Sequence, residues 1–293
     1  EGDVRRISPE APVPVLTVGE EKSVAGGAAN VALNAAALGA KVEVFGWFGQ
    51  DPTGDQLIHL LEVEGITVDR QSYASEVPTI SKTRVMASNQ QICRIDREEP
   101  PNRYQPNLSD IHEPLVAKAS ASDLVIVSDY GKGFVSSELI SLLRSTSSFL
   151  AIDPKPSRLL DYAKPDLLTP NRIEALELAG RSRFSVDGFP EAEIVSKIFD
   201  DFSPGKLAIT LGSEGMLLAE EGKSLEVIPT AAQEVFDVSG AGDTVIAALA
   251  MCLSAGTPFI ESAQFANLAA GIVVGKVGTA TVSPQEILSV AKR

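Results

Sequence analysis

Short apolar runs alternate with helical segments along most of the chain. Residues 124–127 and 149–152 are continuous apolar runs of strand length, which is typical of buried parallel strands. Segments with helical character lie before, between and after these runs, and two of the earlier ones end at Gly39 and Gly65. Because strands that alternate with helices usually pack as a parallel sheet covered on both faces, the pattern predicts an α/β fold with a mostly parallel sheet.

Two segments break this alternation. Residues 10–18 are extended and rich in proline, which indicates an edge or covering strand. Residues 79–87 and 91–96 predict two strands joined by 88–90 as a hairpin. We expect these segments to form a small β-rich lid on the main domain. Other strands are predicted at 42–45, 124–127, 149–152, 167–168, 206–211, 216–219 and 225–228, and helices at 28–38, 56–64, 108–119, 137–144, 171–179, 191–199, 240–253 and 261–274.

The formal net charge is −14, and no basic stripe offsets it. Such a surface repels a phosphate backbone, so nucleic acid is excluded as an expected partner. An anionic ligand would need cations and backbone N–H groups gathered at one site. Apolar runs stay shorter than the ~18–20 residues of a membrane span, so we expect no membrane partner and a cytoplasmic location. The chain starts at Glu1 without methionine, so its true N-terminus is expected to be absent.

The two cysteines, Cys93 and Cys252, are far apart and lack the spacing of a zinc site or a disulfide framework. We interpret both as small buried hydrophobic residues.

The strongest chemical signal is the string Asp-Val-Ser-Gly-Ala-Gly-Asp-Thr at 237–244, which leads into an apolar helix. Glycines let the backbone pass close to a ligand, and the first N–H groups of the helix favour an anion. We therefore predict an anion hole at Gly240, Ala241 and Gly242, beside which the Asp243 carboxylate accepts the proton of an attacking hydroxyl. The alternative is that Asp243 only caps the helix.

This string resembles the second signature of the PfkB, or ribokinase-like, family of carbohydrate kinases. The Gly26-Gly27-Ala28-Ala29-Asn30 segment resembles the first signature, and Asn171-Arg172-Ile173-Glu174 resembles the Asn-x-x-Glu motif of the family. The three motifs occur in the family order and span most of the chain. The resemblance implies a ribokinase-like three-layer α/β/α domain over 1–293, with lid strands near 10–18 and 79–96, that phosphorylates a sugar with ATP.

Further strings, at 6–15, 94–96, 128–133, 153–155 and 274–283, resemble the D-glycero-β-D-manno-heptose 7-phosphate kinases. This resemblance implies phosphorylation of the C1 hydroxyl on the way to ADP-heptose for lipopolysaccharide. In many bacteria such a kinase is fused to a nucleotidyltransferase, so the chain resembles the kinase half or a stand-alone kinase. Members usually begin with a strand that carries a Gly-Asp motif, and Gly2-Asp3 lies too close to Arg6 to be its counterpart. We expect that strand to be missing.

The expected sugar site combines two regions. Gly26, Gly27 and Asn30 offer backbone and amide groups to sugar hydroxyls, although Asn30 could also be a plain N-cap. Arg94 suits the distal phosphate of the sugar because its planar fork matches phosphate oxygens, and Asp96 suits hydroxyls. The alternative for this pair is a surface ion pair on a hairpin. Further candidates are Asp129 and Lys132 at a strand end, and Lys82 and Arg84 on the lid.

The expected nucleotide site lies at the carboxyl edge of the sheet, where open α/β sheets bind ligands. Lys155 follows a buried strand and could neutralise ATP phosphates, or could be a solvated loop lysine. The resemblance implies that Asn171, Arg172, Ile173 and Glu174 bind nucleotide, with Glu174 positioning Mg²⁺ through water. A capping box is the alternative for Asn171 and Glu174, and both can hold. Gly212 is a candidate adenosine contact or a simple turn.

Two other classes of function remain open. The scaffold could phosphorylate another sugar or a nucleoside, and a non-catalytic module could only sense a sugar phosphate. A Rossmann oxidoreductase is disfavoured because the Gly-x-Gly-x-x-Gly fingerprint is absent, and no Walker A string occurs. The resemblance implies a homodimer through the lid, and an exposed small sheet would gain from such pairing.

Overall fold

The structure is a computed structural model that describes residues 1–69, 74–75, 77–87, 90–156, 160–162, 164–182, 189–232, 235–276 and 278–291. Its strands are β1 (Gly2–Ile7), β2 (Pro14–Val18), β3 (Glu43–Val44), β4 (Phe48–Gly49), β5 (Thr67–Val68), β6 (Ala74–Ser75), β7 (Ser81–Ala87), β8 (Gln90–Arg97), β9 (Val125–Ser128), β10 (Leu150–Asp153), β11 (Leu167–Leu168), β12 (Lys206–Thr210), β13 (Met216–Glu220) and β14 (Lys223–Ile228). Its helices are α1 (Ala28–Ala37), α2 (Pro52–Val63), α3 (Leu108–Ala121), α4 (Ser137–Thr146), α5 (Arg172–Leu178), α6 (Glu191–Phe202), α7 (Ala241–Ser254), α8 (Phe259–Val273) and α9 (Pro284–Ala291).

The main sheet has six strands in the order β14-β13-β12-β11-β10-β9. Strands β9 to β12 are parallel, and β13 and β14 add an antiparallel edge beside β12. The prediction of a mostly parallel sheet is therefore confirmed. Parallel strands need crossover connections, and helices α4, α5 and α6 lie in the segments that connect β9 to β12.

Alternate residues of each central strand enter different cores on the two faces of the sheet. On β12, Leu207 and Ile209 join the core formed with α2 to α6, whereas Ala208 joins the core formed with α7, α8 and α9. On β10, Leu150 and Ile152 follow the first pattern and Ala151 the second. This period of two produces three layers, with helices on both faces of the sheet.

The α7 layer is built from small side chains. Ala247, Ala248 and Ala250 of α7 are fully buried, and so is Ala151 on β10, a strand against which α7 packs. Small residues on both surfaces let the helix backbone approach the strands closely. That close approach fixes the position of the α7 N-terminus relative to the carboxyl edge of the sheet.

Strands β2, β1, β7 and β8 form a separate four-stranded sheet, here called the small sheet. The predicted hairpin is confirmed, since β7 and β8 pair antiparallel with Ala87 opposite Gln90; residues 88 and 89 lie outside the described part. The predicted edge strand is also present, as β2. The neighbouring strand β1 escaped prediction because it is only six residues long and its two adjacent arginines interrupt the apolar–polar alternation of a strand.

Several sequence predictions need correction. Cys93 is exposed rather than buried, because it lies on β8, an edge strand along which every residue is exposed. Helix α2 begins at Pro52, four residues earlier than predicted, because the Asp51 side chain caps it by accepting a hydrogen bond from Gly54 N (2.8 Å). Helix α9 was not predicted. Among the described residues, no helix is long and apolar enough to cross a membrane.

The substitution Ala151→Leu should lower the free energy of unfolding by about 1–3 kcal/mol, because the added methylenes meet the closely packed α7 layer. Urea denaturation of the purified chain measures this change. The matched control is Ala121→Leu at the exposed end of α3, which should change stability by less than about 0.5 kcal/mol. Equal effects of the two substitutions would contradict the small-residue layer.

Candidate active site

Four parallel strands deliver polar segments to one edge of the main sheet. The turn 129–133 follows β9, the segment 153–155 ends β10, Asn171 follows β11, and the turn 212–214 follows β12. A hydrogen bond from Asp129 N to Asp153 O (2.9 Å) joins the first two strand ends. The predicted candidates Asp129, Lys132, Lys155, Asn171 and Gly212 are thus at the carboxyl edge, as expected for a ligand site in an open α/β sheet.

The N-terminus of α7 brings Asp243 to this edge. Gly240 is the N-cap and adopts a left-handed conformation (φ 81°), and Asp243 lies in the first turn. The N–H of Ala241 donates to Val238 O (3.3 Å), so Gly242 and Asp243 are the amides that helix geometry directs toward a ligand. A Cβ built on Gly242 has no atom within 4 Å, which means that open space lies over this residue. The turn can therefore accommodate an anion.

The first and second family motifs meet at Asp243. The Asn30 side chain donates from Nδ2 to Asp243 Oδ2 (2.6 Å), although the two residues are 213 positions apart. Tyr130, in the turn after β9, donates its hydroxyl to Asp243 Oδ1 (2.6 Å). A Cβ on Gly240 would lie 2.6 Å from Asn30 Nδ2, so only glycine permits this approach. Asn30 thus contacts the predicted base rather than serving as a plain N-cap.

Burial raises the pKa of Asp243 above its ordinary value, and the hydrogen bonds from Tyr130 and Asn30 counteract part of that rise. The residue is only 6% exposed, which explains the dominance of desolvation. Burial, and next the negative charges of Glu174 and Asp243, raise the pKa of Asp153 well above its usual range. The edge is therefore acidic, and the charge of one carboxylate raises the pKa of a neighbouring one.

The segment 171–174 forms a complete capping box at the start of α5. Asn171 Oδ1 accepts from Ile173 N (2.9 Å) and Glu174 N (3.0 Å), and Glu174 Oε2 accepts from Asn171 N (3.0 Å). The other oxygen, Glu174 Oε1, pairs with Lys155 Nζ at 2.8 Å. The capping box considered for this motif is therefore present. It fixes Glu174, whose other oxygen is paired with Lys155 at the strand ends.

The same motif contacts the turn after β12. Arg172 forms an ion pair with Glu214, and its guanidinium lies over the Phe189 ring (5.3 Å to the centroid). Ile173 is exposed, and a Cβ on Gly212 would have no atom within 4 Å. An open surface thus lies between the start of α5 and the 212–214 turn, where a flat ring could bind.

The small sheet has two chemically different faces. Register places Lys82 opposite Asp96 and Arg84 opposite Arg94, while Thr83 lies opposite Ile95 and Val85 opposite Cys93. Arg94 pairs with Asp96 through two hydrogen bonds (2.8 and 2.9 Å), and Lys82 also donates to Asp96. The surface ion pair considered for Arg94 and Asp96 is therefore present. These hydrogen bonds remain within the small sheet.

One ion pair and one charge interaction connect the polar face of the small sheet to the carboxyl edge. Lys132, in the turn after β9, forms an ion pair with Glu98 (2.5 Å), which follows β8. A hydrogen bond from Ser239 N lowers the pKa of Asp237 in the string before α7, and the charge of Arg84 lowers it further. The polar face of the small sheet is therefore directed toward the segment that precedes α7.

The side chains at this edge can be compared with those that would hold the Mg²⁺ implied by the resemblance. No group of three or more His, Cys, Asp or Glu side chains suited to a metal occurs among the residues that the structure describes. Both oxygens of Glu174 already accept hydrogen bonds or pair with Lys155. This arrangement does not fit an all-protein cage, but it fits Mg²⁺ held mainly by water and phosphate oxygens, which is the usual mode for this ion.

Sequence reasoning missed three contributors to the site. Tyr130 and Asp153 lay inside strings quoted for the resemblance, and nothing in a lone tyrosine signals that its hydroxyl reaches a carboxylate on another helix. Asn34 was missed as well; it accepts a hydrogen bond from Thr244 Oγ1 (2.8 Å) and donates to Asn30 O (2.9 Å). Its place four residues after Asn30 is the only signal that could have indicated this role.

A buried carboxylate beside an open helix N-terminus, at the carboxyl edge of a three-layer α/β fold, is the arrangement that a phosphotransferase with an alcohol acceptor requires. Solved structures share this architecture. The ribokinase of Arabidopsis thaliana in complex with ribose and ATP is 20% identical, has a TM-score of 0.78, and matches 100% of this chain and 95% of its own. The ribokinase of Thermotoga maritima is 21% identical, with a TM-score of 0.73 and the same coverage.

The model of the pfkB family carbohydrate kinases matches residues 2–286, and the chain belongs to this family. It is an ATP-dependent carbohydrate kinase. It is also 41% identical, over 98% of its length, to the "Bifunctional protein HldE" of Sulfurimonas denitrificans, and 42% identical, over 98%, to that of Geobacter sulfurreducens. The chain spans 60% and 59% of the lengths of these two relatives.

The substitution Gly240→Ala should lower turnover about 10–100-fold, because its Cβ would displace Asn30 from Asp243. Steady-state kinase kinetics measure this loss. Gly256→Ala, at the other end of α7, is the matched control: its φ of 84° is similar, but a Cβ there meets no atom within 4 Å. Both variants should lose about 1–2 kcal/mol of stability, and only Gly240→Ala should lose turnover. Equal turnover in both would contradict the role of this close approach.

Proposed function

We propose that the chain transfers the γ-phosphate of ATP to the C1 hydroxyl of D-glycero-β-D-manno-heptose 7-phosphate, giving the 1,7-bisphosphate for ADP-heptose synthesis. The observation that carries the proposal is the buried Asp243 carboxylate beside the open N-terminus of α7. The acceptor is supported by the strings at 6–15, 94–96, 128–133, 153–155 and 274–283. Identity of about 41% to proteins named "Bifunctional protein HldE" supports the same assignment.

In the proposed step, Asp243 accepts the proton of the C1 hydroxyl as its oxygen forms a bond to the γ-phosphorus. The bond between that phosphorus and the bridging β–γ oxygen breaks, and ADP leaves with the electron pair. The amides at Gly242 and Asp243 stabilise the charge on the transferring group, together with the helix dipole. Asp243 later returns its proton to solvent, so atoms and charge balance.

Nucleotide binding is assigned to the ends of β10, β11 and β12. Lys155 is tethered to Glu174 but remains partly exposed, so its ammonium can also reach phosphate oxygens. The open surface at Ile173 and Gly212 would hold the adenosine, with Arg172 at its border. Bound Mg²⁺ would neutralise phosphate charge, with Glu174 holding its water ligands.

Sugar binding is assigned to Gly26, Gly27 and Asn30, to Asp129, and to the polar face of the small sheet. Arg94 and Lys132 are paired with Asp96 and Glu98 in this structure. A sugar phosphate brings two negative charges, which would compete with these carboxylates for the cations. The small sheet would thereby close over the acceptor as a lid.

The substitution Asp243→Asn should lower turnover of heptose 7-phosphate and ATP at least about 100-fold, because an amide cannot accept the proton. ATP affinity, measured by calorimetry, should remain. The matched control is Asp110→Asn. Asp110 is the third residue of α3, as Asp243 is of α7, but its side chain is exposed.

Unchanged turnover in Asp243→Asn would remove Asp243 from its role. The acceptor is tested in the same assay with ribose, fructose 6-phosphate and nucleosides. Dominant turnover of an acceptor that lacks the distal phosphate would overturn the heptose assignment and leave a kinase of another specificity. Binding of sugar phosphate without any turnover by the unmodified chain would indicate a non-catalytic module.

A second copy of the chain is the proposed partner of the apolar face of the small sheet. Cys93 and Ile95 are exposed there, and Ile95 is 58% accessible. An exposed β-sheet with an apolar face is a common pairing surface. A nucleotidyltransferase, fused or separate, is the other proposed partner, since the relatives are bifunctional by name and longer than this chain.

Ile95→Lys should shift the chain from dimer to monomer in light scattering coupled to gel filtration, because it places a charge in the apolar interface. Leu288→Lys on α9 is the control, with a residue that is 57% exposed and outside the small sheet. A monomeric unmodified chain at all concentrations, or equal effects of both variants, would contradict this interface.

A further inference from the structure

The two oxygens of Asp243 lie in different surroundings. Oδ2 accepts from Asn30, which is 1% exposed and belongs to the buried contact between α1 and α7. Asn30 is itself held by Asn34, whose amide donates to Asn30 O (2.9 Å) and whose oxygen accepts from Thr244 Oγ1 (2.8 Å). Oδ2 is therefore bound to the scaffold.

The other oxygen, Oδ1, accepts from a residue that borders the open edge. Tyr130 is 42% exposed, yet its hydroxyl reaches Oδ1 at 2.6 Å. Its ring packs beside Gly27, where a Cβ would lie 3.7 Å from the ring carbons. Oδ1 is thus held by a partly exposed side chain, and a carboxylate oxygen with one donor can still accept a second.

The turn that carries Tyr130 is held firmly. Asp129 Oδ1 accepts from Gly131 N (2.7 Å), and Asp129 Oδ2 accepts from the hydroxyl of Tyr162 (2.7 Å), which is fully buried. These bonds fix the backbone on both sides of Tyr130. The backbone from which the Tyr130 side chain extends toward Asp243 is therefore set by the fold.

We propose that Tyr130 is the positioning residue of the base: its hydroxyl fixes Oδ1 of Asp243 and directs the remaining acceptor position of that oxygen toward the incoming sugar hydroxyl. The proposal rests on the proposed kinase function. It also assigns Oδ1, rather than Oδ2, as the atom that takes the proton. Tyr130 remains a donor throughout, since burial and the charge of Asp243 raise the pKa of its phenol.

Burial of the carboxylate makes this hydrogen bond important. Asp153 at the end of β10, Asp129 after β9 and Glu174 on α5 bring further carboxyl groups to the same edge, where Lys155 is paired with Glu174. Burial already favours the protonated, inactive form of Asp243, and the Tyr130 hydroxyl opposes this. Loss of the hydroxyl should therefore raise the pKa of Asp243 further.

Tyr130→Phe tests the proposal. We expect kcat to fall about tenfold, from the loss of one hydrogen bond to a charged group, with KM for ATP unchanged. The acidic limb of the kcat profile should move to higher pH, because the base must be deprotonated to act. Tyr104→Phe is the control, since it removes another internal hydroxyl, which bonds Glu99 N and Pro78 O away from Asp243. Its acidic limb should match that of the unmodified chain.

Titration of the Asp243 carboxyl by ¹³C NMR, assigned with Asp243→Asn, gives a readout that needs no substrate. A higher pKa in Tyr130→Phe than in the unmodified chain supports the proposal. An unchanged NMR pKa and acidic limb, whether or not kcat falls, overturn it and leave the kinase function intact. If the unmodified chain phosphorylates no sugar, the proposed function fails, and the NMR comparison still shows whether Tyr130 holds Asp243.

Discussion

The hydrogen bond between Asn30 and Asp243 is the contact on which the site depends. It joins the start of α1 to the start of α7 at 2.6 Å, inside a region from which water is excluded. Gly240 makes this distance possible because any side chain there would collide with the Asn30 amide. Two segments that consist mostly of small residues, 26–30 and 237–244, thereby hold one carboxylate in a fixed position. Together with the hydrogen bond from Tyr130, this contact holds both oxygens of the buried Asp243 carboxylate.

The main sheet supplies the second half of the site by geometry alone. Parallel strands β9 to β12 end at one edge, so each connection that follows a strand contributes a polar group to the same place. The capping box at α5 shows how one set of atoms serves two purposes. Asn171 and Glu174 satisfy the helix N-terminus, and the same bonds orient Glu174 toward Lys155. Structural and functional interpretations of this motif are therefore compatible.

Charge explains the arrangement of the cations. The chain carries a net charge of −14, and four carboxyl groups come together near Asp153. Three candidate phosphate-binding cations are paired with acidic partners: Lys155 with Glu174, Lys132 with Glu98, and Arg94 with Asp96. Such pairs hold long side chains in place near a site that must bind anions. A phosphate ligand then exchanges partners with them rather than ordering free side chains.

The sequence alone determined the layer architecture and the hairpin, and it singled out Asp243 as the candidate base. It could do so because apolar periodicity and glycine placement are local properties of the chain. It also indicated that Lys155 and Asn171 lie at one sheet edge, since strand ends follow from the order of elements. Only the tertiary structure showed that Tyr130 and Asn30 hold opposite oxygens of Asp243 and that Cys93 is exposed. Those facts depend on which surfaces meet across distant parts of the chain, and no local pattern encodes them.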